Sequence, residues 1–395
     1  MAEEGQRWGA RASLAELVEA QHAAFAARYG EPPVETASAP GRINVIGGHT
    51  DYNQGLALPG AIDRWVVVTL SPRRDDAKRL HSEAFRETVV APASQPVTVA
   101  RGWSRIPWGA VQTFTDAAGE SRGFDALIGG NLPLGAGLSS SAAVEMALLN
   151  ALRGAFDAHI DDLDLVRRAQ RVENECLGVA TGLMDQYTSQ FSRPDALMLI
   201  DFESTTHQYI DARLDGWVWL LLDTKVRHEL ADSAYGERVE EMRLALARVS
   251  DADGSVASFR DLLEMHIDGI EGEVLRRRLR HYVGENARVR SAVRAIVAGD
   301  AEGLGELMFA SHDSLRDDYA VSCAELDVLV DAAATAPGCA GARMMGGGFG
   351  GCTINLVRQS ATDDFVDRIA PEFERRFGYA PAADVCRLVG GARVH

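Results

Sequence analysis

The 395-residue chain contains no C-x-x-C pair, and its five cysteines, at 176, 323, 339, 352 and 386, form an odd set. That argues against a zinc ribbon or a disulfide framework and leaves reduced thiols that fill the core. Its ten histidines include no H-E-x-x-H, which sets aside a zinc hydrolase. The longest wholly apolar run, Trp217 to Leu222, is far short of the ~18 residues that a membrane span requires. Positive charge is scarce: 40 Lys and Arg stand against 57 Asp and Glu, for a net charge of -17. Such a chain is repelled by nucleic acid and by anionic membranes, so any phosphate site has to be local. G-x-x-x-x-G-K-[ST], H-R-D and D-F-G are all missing, which removes P-loop and protein-kinase folds. The N-terminal stretch carries Glu3, Glu4 and Glu16 and no apolar signal core, so a cytoplasmic protein is expected.

What is present is a globular composition, 46% apolar over a length that exceeds one ordinary core. Two domains, 1–205 and 206–395, are the expected division. Residues 13–29 place Leu14, Leu17, Val18 and Phe25 at helical spacing, with Gly30 and Pro32 as stop signals. Trp65 to Leu70, Phe124 to Ile128, Trp217 to Leu222 and Cys352 to Val357 read as strands. Pro92, Ser94 and Pro96 mark a loop, a long amphipathic helix follows residue 223, and charge-rich helices fill 268–331.

Four stretches carry polar chemistry. Residues 39–63 pack Arg42, His49, Asp51, Tyr52 and Asn53 among five glycines and two prolines. Ile43, Val45 and Ile46 make a brief strand-like alternation ending at Gly47 and Gly48, and the loop beyond is either a charged surface turn or a polar ligand site. Residues 131–143, N-L-P-L-G-A-G-L-S-S-S-A-A, lie between a strand and a helix that bears Val144, Leu148, Leu149 and Leu152. Gly135 and Gly137 permit tight turning, and serines at a helix start meet free N–H groups and the positive dipole end. That is a phosphate cradle, or else a serine cap on a core helix.

In the third stretch, 170–190, Gly178 should end one helix and Thr181 or Gly182 begin another. Glu173 then closes the first and Asp185 lies in the first turn of the second. Two carboxylates at a break suit a metal and a hydroxyl, or are solvated helix ends. The fourth, 341–357, contains Gly346, Gly348 and Gly351 in a formal G-x-G-x-x-G. A strand follows these glycines where a dinucleotide fingerprint needs a helix, so a hairpin turn or a glycine loop is expected instead.

G-R-I-N-V-I-G-G-H-T-D-Y-N-Q-G at 41–55 closely resembles the galactokinase signature, within the superfamily of galacto-, homoserine, mevalonate and phosphomevalonate (GHMP) kinases. P-L-G-A-G-L-S-S-S-A at 133–142 resembles that superfamily's ATP loop, and 341–357 its third motif. The resemblance implies an α+β, two-domain GHMP kinase fold: an N-terminal domain like the second domain of ribosomal protein S5 and a ferredoxin-like C-terminal domain. It implies MgATP-dependent phosphorylation of the anomeric hydroxyl of a galactose-like sugar.

On this resemblance Gly135, Ala136, Gly137, Leu138, Ser139, Ser140 and Ser141 bind ATP, and Ser141 and Glu173 hold Mg²⁺. Gly48, His49, Thr50, Asp51, Gly182 and Tyr235 line the sugar pocket, although a lone tyrosine in a helix also serves as core packing. Asp185 faces the reacting hydroxyl and Arg42 is the cation beside the transferred group. An aspartate beside an arginine is a weak base at neutral pH, so proton acceptance and mere orientation both stay open. The family usually has glutamate where this chain has Gly48, which leaves L-arabinose and galacturonate as alternatives to galactose. Some galactokinase-like proteins are sugar sensors that have lost part of the phosphate loop; here 139–143 is intact, which favours an enzyme. A monomer or dimer without nucleic-acid or membrane partners is expected.

Overall fold

The structure, a computed structural model, describes residues 12–92, 102–120, 122–178, 180–227 and 231–395; the loop expected at Ser94 and Pro96 falls outside these. The strands are β1 (Glu35–Asn44), β2 (Leu56–Ala57), β3 (Pro59–Pro72), β4 (Ala77–Ser82), β5 (Glu87–Pro92), β6 (Phe124–Gly130), β7 (Ala196–Asp201), β8 (Thr206–Asp211), β9 (Trp217–Asp223), β10 (Cys339–Met344), β11 (Cys352–Arg358), β12 (Ala382–Cys386) and β13 (Arg393–Val394). The helices are α1 (Leu14–Tyr29), α2 (Arg105–Ala118), α3 (Ser140–Ala155), α4 (Asp162–Val172), α5 (Met184–Phe191), α6 (Ala231–Ala252), α7 (Glu264–Gly269), α8 (Glu273–Val297), α9 (Ala301–Asp313), α10 (Ala324–Ala334) and α11 (Thr362–Phe377).

A six-stranded sheet runs β13-β1-β3-β6-β4-β5, a four-stranded sheet runs β10-β11-β9-β12, and β2-β7-β8 form a third. Pairing is antiparallel throughout except between β4 and β6. Thr205 lies in the turn between β7 and β8, and the chain's last strand returns to pair with β1. One apolar core joins the large sheet to α2, α3 and α4, and a separate core lies under α10 and α11. Among the described residues no helix is long and apolar enough to cross a membrane.

Where local signals are strong, the elements fall where the sequence puts them. Ser13 and Glu16 form a capping box at the start of α1, and Gly30 ends it at φ 90. The expected strands at 65–70, 124–128, 217–222 and 352–357 lie within β3, β6, β9 and β11. β1 differs from the expectation. The sequence suggested a brief strand at 43–46, whereas the strand spans Glu35–Asn44 and is buried at every position after the first. Both faces are covered, so it shows no alternation and uses small residues, Ala37, Ser38 and Ala39. Pro40 sits at a register shift before Arg42, where a missing N–H is tolerated. Gly41 is needed there because a Cβ would come within 2.5 Å of the Leu132 side chain and 2.8 Å of the Leu138 carbonyl. Helix α5 starts at Met184 with Leu183 before it, later than the Thr181 or Gly182 start expected, and Asp185 still falls in its first turn.

Candidate active site

β1, the start of α3, the break between α4 and α5, α6 and the 345–351 hairpin loop converge on one cavity of about 360 Å³. Its lining includes Arg42, Gly48, His49, Asp51, Gly135, Gly137, Ser139, Ser140, Ser141, Glu173, Gly182, Asp185 and Tyr235. Thr50, Ala136 and Leu138 do not line it. The Thr50 hydroxyl donates to the Gly47 and Leu56 carbonyls at 3.0 and 2.8 Å and so fixes the loop. Ala136 and Leu138 are buried and offer backbone only: their carbonyls accept from the Cys352 thiol at 2.9 Å and the Arg42 amide at 3.1 Å.

At one end the chemistry is ionic. Arg42 grips Asp185 in a two-pronged pair, Nε to Oδ1 and Nη2 to Oδ2, both 2.8 Å, and its Nη1 donates to the Gly137 carbonyl at 2.7 Å. The Ser139 hydroxyl also donates to Asp185 Oδ2. Ser139 adopts φ 60 and does not cap α3 with its side chain, so its hydroxyl serves the carboxylate. Glu173 begins a turn of π-helix, Glu173–Leu177, closed by Gly178 at φ 74; such turns recur at functional sites. Its carboxylate accepts from the Ser141 hydroxyl at 2.6 Å and the Thr181 hydroxyl at 2.9 Å.

Burial, and then the nearby Asp185, push Glu173 upward. The same causes raise Asp51 to about 7, and burial followed by Glu173 pushes the fully buried Glu145 well up. This end is short of positive charge. Ser141 and Glu173 are hard oxygen donors, the set that suits Mg²⁺ completed by water and phosphate oxygens.

At the other end the lining is mostly neutral and aromatic, with the buried Arg343 and Glu285 beside Gly48. His49, held at φ 59, hydrogen-bonds through Nδ1 to the Tyr52 hydroxyl at 2.8 Å, which meets the Tyr319 hydroxyl at 2.9 Å. The His49 ring lies 5.4 Å from that of Tyr235 and 5.1 Å from that of Tyr319. Burial, then His281 and Arg343, push His49 down to about 3, so it is an uncharged imidazole. Asp51 packs on Gly182, where a Cβ would come 2.0 Å from its Oδ2. Gly48 faces Arg343: a Cβ at position 48 would sit 2.6 Å from Nη2 and 3.3 Å from Leu315. The backbone N–H groups of Gly47 and Gly48 donate to the buried Glu285 at 2.8 and 3.1 Å.

The 345–351 loop joins β10 to β11 as a hairpin, and no helix follows its glycines, so it is not a dinucleotide fingerprint. It is a hairpin turn that also lines the cavity, through Gly346, Gly347 and Gly348. A Cβ on Gly346 would sit 3.3 Å from the Gly137 carbonyl, so two glycine loops meet backbone to backbone.

Two features escaped the sequence reading. A second cleft of about 490 Å³ opens on the other side of Ser140 and Ser141, lined by Trp65, Phe85, Trp103, Ile106 and Leu134 among others. In it the Phe85 and Trp103 rings stack at 5.6 Å and 11°, and the Trp103 indole donates to Glu87 at 2.8 Å. Its residues come from separate segments, so no local motif announces it. The other feature is Asn44, which lines the first cavity from within the 41–55 stretch.

Comparison with known proteins agrees with this geometry. The chain matches the galactokinase galactose-binding signature over residues 23–72, the GHMP kinases N terminal domain over 105–193 and the GHMP kinases C terminal domain over 292–375. It is 38% identical to a galactokinase of Thermotoga petrophila over 86% of this chain and 94% of that one. With a galactokinase of Exiguobacterium sibiricum the identity is 37%, over 93% and 96%. Among solved structures it is similar to Lactococcus lactis galactokinase complexed with galactose, with TM-score 0.90 and 33% identity over 95% of this chain and 99% of that chain. A mevalonate kinase at 18% identity and TM-score 0.65 shares the fold. The chain has the α+β GHMP kinase fold and belongs to the galactokinase family.

Proposed function

We propose that this protein transfers the γ-phosphoryl group of ATP to the anomeric hydroxyl of α-D-galactose, giving galactose 1-phosphate and ADP. The observation that carries the reading is the Arg42–Asp185 pair set against the 135–141 loop in one cavity. The sugar's anomeric oxygen attacks the γ-phosphorus, the bond from that phosphorus to the β,γ-bridging oxygen breaks, and the hydroxyl proton leaves toward Asp185 or water. Phosphoryl transfer depends on positioning and charge neutralisation more than on covalent help. The backbone N–H groups at the start of α3 cradle phosphate, Arg42 offsets developing negative charge, and Asp185 orients the hydroxyl. Both Asp185 oxygens already accept donors, which fixes the carboxylate in place and supports orientation as its larger role.

Ser141 and Glu173 would hold Mg²⁺, which supplies charge neutralisation on the phosphates when bound. The second cleft, sharing Ser140 and Ser141 with the first, takes the flat adenine ring. Gly48, His49, Asp51, Gly182 and Tyr235 form the sugar wall. The division of the chain near residue 205, a cytoplasmic location and a monomeric or dimeric state belong to the same proposal. ADP release with MgATP and a panel of sugars tests it. Galactose should be the preferred acceptor; binding of galactose without turnover would make the protein a sensor, and preference for L-arabinose or galacturonate would reassign the substrate.

A further inference from the structure

Asn44 is 4% exposed, lines the sugar-side cavity, and leaves its amide oxygen without a partner. Every other polar atom of the residue is occupied. Its Nδ2 donates to the Gly47 carbonyl at 3.1 Å, its backbone N–H meets the Met345 sulfur at 3.4 Å, and its carbonyl accepts from Arg343 Nη1 at 3.0 Å. The bond from Nδ2 fixes the amide's orientation, so the free atom is Oδ1, a pure acceptor. Leaving a buried acceptor unmet is costly, and the group it awaits has to be a hydrogen donor. A phosphate oxygen or a carboxylate cannot serve there; a sugar hydroxyl can.

The strand tells which hydroxyl is excluded. Arg42 and Asn44 are two residues apart on β1, hence on one face and ~6.6 Å apart along the strand. Arg42 holds Asp185, where the reacting hydroxyl sits, so Asn44 lies about a sugar ring's width away. It reaches a hydroxyl remote from the reaction. Gly48 lines the cavity there and contributes no side-chain acceptor. We infer that Asn44 Oδ1 accepts a hydrogen bond from a non-reacting hydroxyl of the sugar and is a specificity-determining residue of the pocket. A sugar that places a hydrogen, a fluorine or a carboxylate at that point is discriminated against.

The inference rests on the galactose reading above, and one experiment separates the two. kcat/KM is measured for galactose and for its singly deoxygenated and deoxyfluoro analogues at each ring position other than the anomeric one, with wild type and Asn44→Ala. In the wild type, one position should lose at least about tenfold with both the deoxy and the fluoro sugar, because fluorine accepts but does not donate. In Asn44→Ala galactose itself should fall about tenfold and the penalty at that single position should vanish, the others staying. Ratios between sugars do not depend on how much of the variant is folded. An Asn44→Ala enzyme that keeps every ratio within threefold of wild type overturns the role, as it would if water alone met Oδ1. Should the variant give no folded protein, a wild type that accepts every deoxyfluoro sugar within threefold of galactose overturns it independently. A wild type with no turnover or binding of galactose defeats the galactose reading and this inference together.

Discussion

The two ends of the central cavity are built on opposite electrostatic plans. Around Asp185 the groups are acidic side chains set against Arg42: burial, and then Asp185, raises Asp51 and Glu173, while burial, and then Glu173, raises Glu145. Around His49 the aromatic groups are uncharged: burial pushes the imidazole down to about 3 and Tyr52 and Tyr235 well above the usual phenol range. The lesson is a division of labour. A cluster of carboxylates held together with Arg42 waits for a cation and phosphate, whereas a sugar needs fixed neutral donors and acceptors whose state does not change with pH. The ionic end, together with Asp51 of the sugar wall, should therefore respond to magnesium and pH, and the neutral end to the shape and hydroxyl pattern of the sugar.

The largest effect is expected from breaking the ionic end at its cation. Arg42→Met leaves Asp185 without its two-pronged partner, and the Arg42 side chain is only 6% exposed. Removing one member of such a pair costs about 3 to 5 kcal/mol when fully buried, less here because the Asp185 side chain is 27% exposed. Turnover should fall at least a hundredfold and the thermal midpoint should drop. An unchanged midpoint would mean that the pair does not contribute to stability.

Next comes the metal. Ser141→Ala and Glu173→Gln should each raise the magnesium concentration for half-maximal rate at saturating galactose, with the KM for sugar unchanged within about threefold. The assignment fails if a magnesium titration gives the wild-type midpoint in both variants.

A smaller effect concerns Asp51. Its carboxyl in the folded protein titrates at about 7, while in the unfolded chain it titrates near ~3.9. Between these values the folded state keeps the proton that the unfolded state has released, so this group's contribution to stability falls as pH rises from about 4 to about 7, then levels off. Asp51→Asn removes that dependence. The variant should melt higher than wild type, by an amount that grows from pH 5 to pH 8 and corresponds to on the order of 2 kcal/mol or more. A gain that shrinks over the same range would contradict the assignment. Activity should fall in the same variant, since Asp51 lines the pocket.

The smallest effect sharpens the neutral end. A glutamate introduced by Gly48→Glu has to displace Arg343 Nη2, which would lie 2.6 Å from its Cβ, and it can pair with that guanidinium. The ratios of kcat/KM among galactose, L-arabinose and galacturonate should move by more than threefold, against galacturonate. Ratios that stay within threefold would show that position 48 does not reach the sugar.

Much of this was legible because local physics acts alone at certain places. Ser13 with Glu16 and Gly30 mark the ends of α1 in the sequence itself, and Asp185 falls in the first turn of α5 although the start lies later than expected. β1 was not legible in full, because a strand buried on both faces and interrupted by Pro40 and Gly41 carries no alternating signal. The serine run reads as a phosphate cradle, but nothing local shows that Ser139 turns its hydroxyl to Asp185 instead of capping α3. The Phe85 and Trp103 stack and the burial of Asn44 against Arg343 and Met345 depend on separate segments of the chain. Only tertiary packing brings these together.

The central claim is that the Asp185 carboxylate, held by Arg42, sets the sugar hydroxyl against the phosphate loop. Its most direct test is Asp185→Asn, which keeps shape and removes charge, with turnover measured alongside calorimetric binding of galactose and of ATP. The account predicts binding of both ligands within about threefold of wild type and turnover below a tenth of it, a loss of more than ~1.4 kcal/mol in transition-state stabilisation. An Asp185→Asn enzyme that binds normally and keeps more than a tenth of wild-type turnover would contradict it.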